Sequence, residues 1–230
     1  MTGRRRDEKR EWTVHNLEEL RQALALIDAS LQNLVLTYGV FVGLNRAALG
    51  TGISGPAVPS LQTIMFDQIQ LMMFRINALT IPPNRTTDIS LCTFREALAS
   101  PDLMSALEAS SRKWGMGVIP EQQAAAFQSR IAFVNKRIER LYSLDLKSIS
   151  IFRNKAIAHI TTEANSVQRP ALKTIWRATK LSIAIGHDLN FVFGDGLNTD
   201  YIGMGKRARD SARSLVENVI SSLKVDGAPR

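Results

Sequence analysis

Between Leu17 and Phe41 apolar residues return in steps of three and four: Leu17, Leu20, Leu24, Ile27, Leu31, Leu34, Tyr38 and Phe41. That spacing places one apolar stripe along about seven helical turns, and no strand alternates in this way. Asn16 stands directly before it, a residue suited to cap the first turn. A stripe of this length must be hidden against similar surfaces. The chain supplies them: Phe127, Ile131, Val134, Ile138 and Leu141 repeat the pattern after Pro120, and amphipathic stretches follow from Pro170 to about Phe193 and over 206–224. No segment reads as a strand. The fold class expected is all-α, a single helical bundle with four main helices plus accessory short ones.

The punctuation divides this bundle. Gly43 to Ser60 holds three further glycines and two prolines and reads as a loop. Ser60 to Thr80 (SLQTIMFDQIQLMMFRINALT) is apolar almost all the way round, so this helix is expected at the centre of the fold, with Met65, Met72 and Met73 as core filling. Ile81-Pro82-Pro83 stops it. Shorter helices are expected over 88–98 and 101–113, the second opened by Ser100-Pro101-Asp102. Gly115 and Gly117 close that part. Ser143 to Asp145 joins the Pro120 helix to LKSISIFRNKAIAHI, helical to about Ile160, and Thr161 to Arg169 reads as polar linker. The division expected is a basic tail over 1–14, the bundle over 15–224 and a short tail over 225–230.

Composition narrows the function. The one cysteine, Cys92, cannot form an intrachain disulfide, and the three histidines, His15, His159 and His187, are far apart. No metal and no cofactor are expected from such a set. Walker, dinucleotide-binding, zincin, EF-hand and nucleophile-elbow signatures are absent. Gly194-Asp195-Gly196 reads as a helix-ending turn, and His187 beside Asp188 as a surface residue. The basic start MTGRRRDEKREW has no apolar stretch behind it, and the densest apolar run, Leu34 to Leu44, is short for a span, so a cytoplasmic protein without membrane attachment is expected.

The net charge of +8 is uneven. Residues 112–180 hold 13 basic and 4 acidic side chains. With a pI near 10.0, this block suggests attraction to a polyanion such as nucleic acid. Within it lies Phe152-Arg153-Asn154-Lys155-Ala156-Ile157-Ala158-His159-Ile160. On a straight helix Leu146, Ile149, Phe152, Ala156 and Ile160 form the stripe, Arg153 falls on the buried side and His159 at its other edge. An arginine facing inward needs an anion or a wet cavity. Two readings are open: an internal salt bridge, with Asp67 as candidate partner, or a cleft where Arg153 holds phosphate and His159 moves protons. The same spacing from Arg10 to His15 has no buried context and reads as coincidence.

The all-α layout together with the FRNKAIAH wording resembles the HEPN superfamily, most closely its abortive-infection branch. There an arginine, a polar residue and a histidine four to six positions beyond the arginine form the signature, behind a long helix carrying an Asp and an Arg, as Asp67 and Arg75 do here. The resemblance extends over roughly residues 15–195, and its specific part is 152–160. The acidic residue expected near the end of the long helix is replaced by Thr80 and Ile81. The resemblance implies a metal-independent endoribonuclease, a toxin or antiphage effector, cutting RNA by 2′-hydroxyl attack. It implies catalytic roles for Arg153 and His159, substrate binding by Asn154 and Lys155, and supporting roles for Asp67 and Arg75. It further implies a homodimer with a composite site, and it leaves room for a cognate antitoxin. A non-catalytic module binding RNA, nucleotide or a protein is the other function that the resemblance allows.

Overall fold

The computed structural model describes residues 16–51, 57–81, 89–111, 120–158, 168–193 and 199–226. Among them are eight α-helices, one π turn and no strand. The helices are α1 (Leu17–Thr51), α2 (Ala57–Thr80), α3 (Leu91–Ala97), α4 (Pro101–Ser111), α5 (Pro120–Tyr142), α6 (Leu146–Phe152), α7 (Leu172–Phe193) and α8 (Tyr201–Asp226). The π turn, Arg153–Ala158, continues directly from α6. Five helices exceed twenty residues, where four main ones were expected.

The stripe of α1 is the spine of the core. Leu20, Leu24, Ile27, Leu31 and Leu34 are buried, and α1 packs against α2, α7 and α8. Asn16 caps it, its Oδ1 accepting from the Glu19 amide at 2.9 Å. By length and composition α1 could also cross a membrane. In this fold its apolar stripe is covered by other helices, and it carries the buried Asp28. That carboxylate accepts from the hydroxyl of Tyr201, from Thr199 Oγ1 at 3.0 Å and from Gln32 Nε2 at 2.5 Å. Burial, then the bond to Asp28, raises the Tyr201 pKa above its ordinary value.

Two expectations about the helices are corrected. First, the Gly43–Ser60 break is much shorter, because α1 continues through Gly43 and Gly50 to Thr51 and α2 starts at Ala57. Gly43 is a contact surface. A Cβ there would lie 2.3 Å from the Arg209 carbonyl oxygen and 2.9 Å from the Ala212 Cβ, and one at Gly39 would lie 2.6 Å from the Gly205 carbonyl oxygen. With no Cβ at Gly39 and Gly43, α8 can approach the backbone of α1, and that proximity compensates for glycine's poor helix propensity.

Second, α2 is not central. Met72, Met73, Ile76 and Leu79 are buried, while Ile64, Leu71 and Phe74 are exposed. A helix apolar all round has no preferred face of its own, and here α1 takes the middle and leaves α2 half outside. Met72 and Met73 do fill core, with Met65 packed against it. Ser90 caps α3 and Asp145 caps α6, the latter through the Ser148 amide at 3.1 Å.

Candidate functional site

Arg153 is placed by the junction of α6 with the π turn. Ile149 and Phe152 hold α6 in the core, against α2 and α7. From Arg153 to Ala158 the bonding is that of a π helix, a rare form often found at functional positions. A π turn advances each residue by less than the 100° of an α-helix, so the straight wheel expected through Ile160 holds only to Phe152.

The Arg153 side chain is half-buried. Its guanidinium carbon lies 4.8 Å from the centre of the Phe74 ring on α2, and Nη1 donates to Asn154 Oδ1 at 2.8 Å. Its Nε is enclosed and has no hydrogen-bond acceptor among the described residues. Asn154 and Lys155 are exposed beside it. His159 lies outside the described residues, as do the linker over 161–167, the Gly194-Asp195-Gly196 turn and the basic N-terminal run.

Asp67 is exposed, and among the described residues no ion pair joins it to Arg153. The internal salt bridge is therefore not the arrangement adopted. Physically, Phe74 is the α2 residue under Arg153, and Asp67 lies seven residues, or about two turns, away along the helix. Arg75, the next residue, turns toward α1, donating to the Asn33 carbonyl and the Thr37 hydroxyl. Burial lowers its pKa. It ties α2 to α1 and does not join Arg153. The structure thus brings together Arg153 and Asn154, adds Phe74, and leaves Asp67 and Arg75 elsewhere.

The basic block is only partly available to a ligand. Arg130 and Arg137, two turns apart on one face of α5, both pair with Asp188 of α7, which is completely buried. Arg130 Nη1 reaches Asp188 Oδ1 at 2.8 Å, and each arginine also covers an aromatic ring, Phe191 and Phe133 respectively. Two of the 13 basic residues therefore serve the fold. His187 is half-exposed, with Nδ1 3.8 Å from Asp188 Oδ1. Trp176 is half-buried and packs edge-on against Phe41 at 6.0 Å.

Phe74 could not have been singled out in a helix that looked apolar on every side. Its signal becomes visible only once α2 is seen at the surface. No group of three or more metal-ligating side chains occurs among the described residues. Comparison of the chain with protein-family models, with curated proteins and with solved structures gives no match.

Proposed function

We propose that this chain is a metal-independent endoribonuclease of the HEPN type, working on RNA in the cytoplasm as a toxin or antiphage effector. The observation that carries the reading is Arg153: a half-buried guanidinium, stacked on Phe74, with no carboxylate partner among the described residues. A permanent positive charge held by an aromatic ring and a neutral amide keeps its charge available for a phosphate.

In the reaction proposed, the 2′-hydroxyl of one nucleotide attacks the adjoining phosphorus. The new O–P bond forms as the bond from phosphorus to the 5′-oxygen of the next nucleotide breaks. One fragment ends in a 2′,3′-cyclic phosphate and the other begins with a 5′-hydroxyl. Arg153 stabilises the charge on the five-coordinate phosphorus. Asn154, bonded to Arg153, fixes its orientation and with Lys155 binds substrate. His159 takes the proton from the 2′-hydroxyl or returns one to the 5′-oxygen, a task for which an imidazole is suited near neutral pH. One imidazole cannot stand on both sides of the phosphorus, so a second copy of the chain supplies the other. Exposed apolar side chains on the elements beside Arg153, Leu71 of α2 and Ile151 of α6, support that docking. A cognate antitoxin would act by covering this face.

The test is incubation of purified protein with RNA in EDTA. Fragments ending in cyclic phosphate are expected, and Arg153→Ala or His159→Ala should each slow cleavage by about 100-fold or more. Cleavage by both variants at the parental rate overturns the proposal. RNA binding without cleavage by the parent would instead identify a non-catalytic module, a reading that the Arg153–Phe74 stack also supports.

A further inference from the structure

A second arginine lies over α2. The guanidinium carbon of Arg169, three residues before α7, is 5.5 Å from the centre of the Phe66 ring. Phe66, Gln70 and Phe74 follow one another at four-residue steps and so form one ridge of α2. Arg169 stands at one end of this ridge and Arg153 at the other. Eight residues at about 1.5 Å each separate the two rings by roughly 12 Å along the helix. Arg169 is exposed, and among the described residues no carboxylate pairs with it.

This arrangement is repeated chemistry. Each guanidinium lies near an aromatic face, so the N–H groups at its edge remain available for phosphate oxygens. Phe74 is exposed and Phe66 half-buried, and the part of each phenyl ring that its arginine leaves uncovered is a surface of the kind on which a base stacks. Gln70, between them, carries both a donor and an acceptor. The distance corresponds to three or four nucleotides stacked at about 3.4 Å each, and to fewer when they are splayed. Bases paired in a duplex are stacked on one another and do not present their faces to phenyl rings, whereas the bases of a single strand do. The ridge suits one strand and opposes a duplex.

We infer that the Phe66–Gln70–Phe74 ridge, with Arg169 and Arg153 at its ends, is a track for single-stranded RNA. Arg169 and Phe66 form an outer subsite for nucleotides flanking the phosphate held at Arg153. The inference rests on the proposed function for the identity of the inner phosphate, while the outer subsite rests on its own geometry.

Binding to the full chain, with His159→Ala included to keep RNA intact, tests it. The probe is a fluorescein-labelled single-stranded oligoribonucleotide of about ten residues, read by anisotropy beside the same sequence as a duplex. Arg169→Ala and Phe66→Ala should each weaken single-strand binding about tenfold, within the range of losing one stacked base. Arg169→Ala should also lower the dependence of log affinity on log salt by about one phosphate contact. Phe66→Trp, which keeps a π face, should hold parental affinity, and Phe66→Leu, which fills space without one, should not. Full affinity in Phe66→Leu, or equal losses for duplex and single strand, overturns the track. If the parent cleaves RNA while Arg169→Ala binds it normally, the outer subsite fails and the nuclease stands. If the parent does not cleave but these variants lose binding as described, the nuclease fails and the track stands.

Discussion

Replacing Arg153 by alanine separates a residue kept for its chemistry from one kept for the fold. The terms are small and opposed. Loss of the stack on a half-exposed ring costs about 0.5–1 kcal/mol. Loss of the hydrogen bond to exposed Asn154 costs about 0.5 kcal/mol, at the low end for such bonds. Against these, the variant removes an enclosed Nε that lacks an acceptor among the described residues, worth about 1 kcal/mol or more. The net change should lie within about 1 kcal/mol. For a 230-residue chain each kcal/mol moves Tm by about 2–4 °C, so the shift should stay within about 4 °C. Asp188→Ala is the control. It strands Arg130 and Arg137 around a fully buried site and should cost about 3 kcal/mol or more, roughly 6 °C at least. Calorimetry or circular dichroism on both variants, with RNA cleavage measured in parallel, decides the matter. Arg153→Ala should melt near the parent and have lost cleavage. A fall in Tm as large as that of Asp188→Ala would refute the reasoning, because Arg153 would then be a structural cation.

Two glycines of the same helix should respond in opposite directions. Gly43→Ala pushes a methyl group into the α8 backbone and should destabilise the fold by about 1–2 kcal/mol after its gain in helix propensity. Gly50→Ala meets nothing within 4 Å and should stabilise by up to about 1 kcal/mol; equal denaturant midpoints for the two would contradict the close α1–α8 approach. Alkaline titration offers a third measurement. Burial raises the pKa of Tyr201 and of Tyr142, whose hydroxyl donates to the Thr80 carbonyl at 3.1 Å. Because the folded values lie above the unfolded value near 10, their stabilisation is whole below about pH 10 and is lost as pH climbs from there. Urea midpoints should fall steeply above that point and less steeply in Tyr142→Phe; a flat profile to pH 11 would contradict the burial of these phenols.

Much of the fold was legible in order. The stripe from Leu17, the Asn16 cap, the Pro101 and Pro120 helix starts and the Ser143–Asp145 join are properties of neighbours in sequence, and periodicity and capping chemistry read neighbours. Arg153 was legible as an unusual cation for the same reason, since Ile149 and Phe152 define the buried side of α6. Its surroundings were not. A helix apolar on all sides, such as α2, leaves open which face is covered, so the exposed Phe74 and the half-buried Phe66 could not be told from core.

The sequence by itself determined that this chain is helical, where most of its helices run and which apolar stripes they hide, because a 3.6-residue period is written within each segment. Tertiary structure decided the rest. It turned Gly43 from an apparent break into a point of close approach between α1 and α8. It assigned Arg130 and Arg137 to Asp188, and it put an aromatic ring rather than Asp67 beneath Arg153. Each of these outcomes depends on residues far apart in the chain, and a charge, a glycine or a phenyl ring takes its role from whichever neighbour packing brings to it.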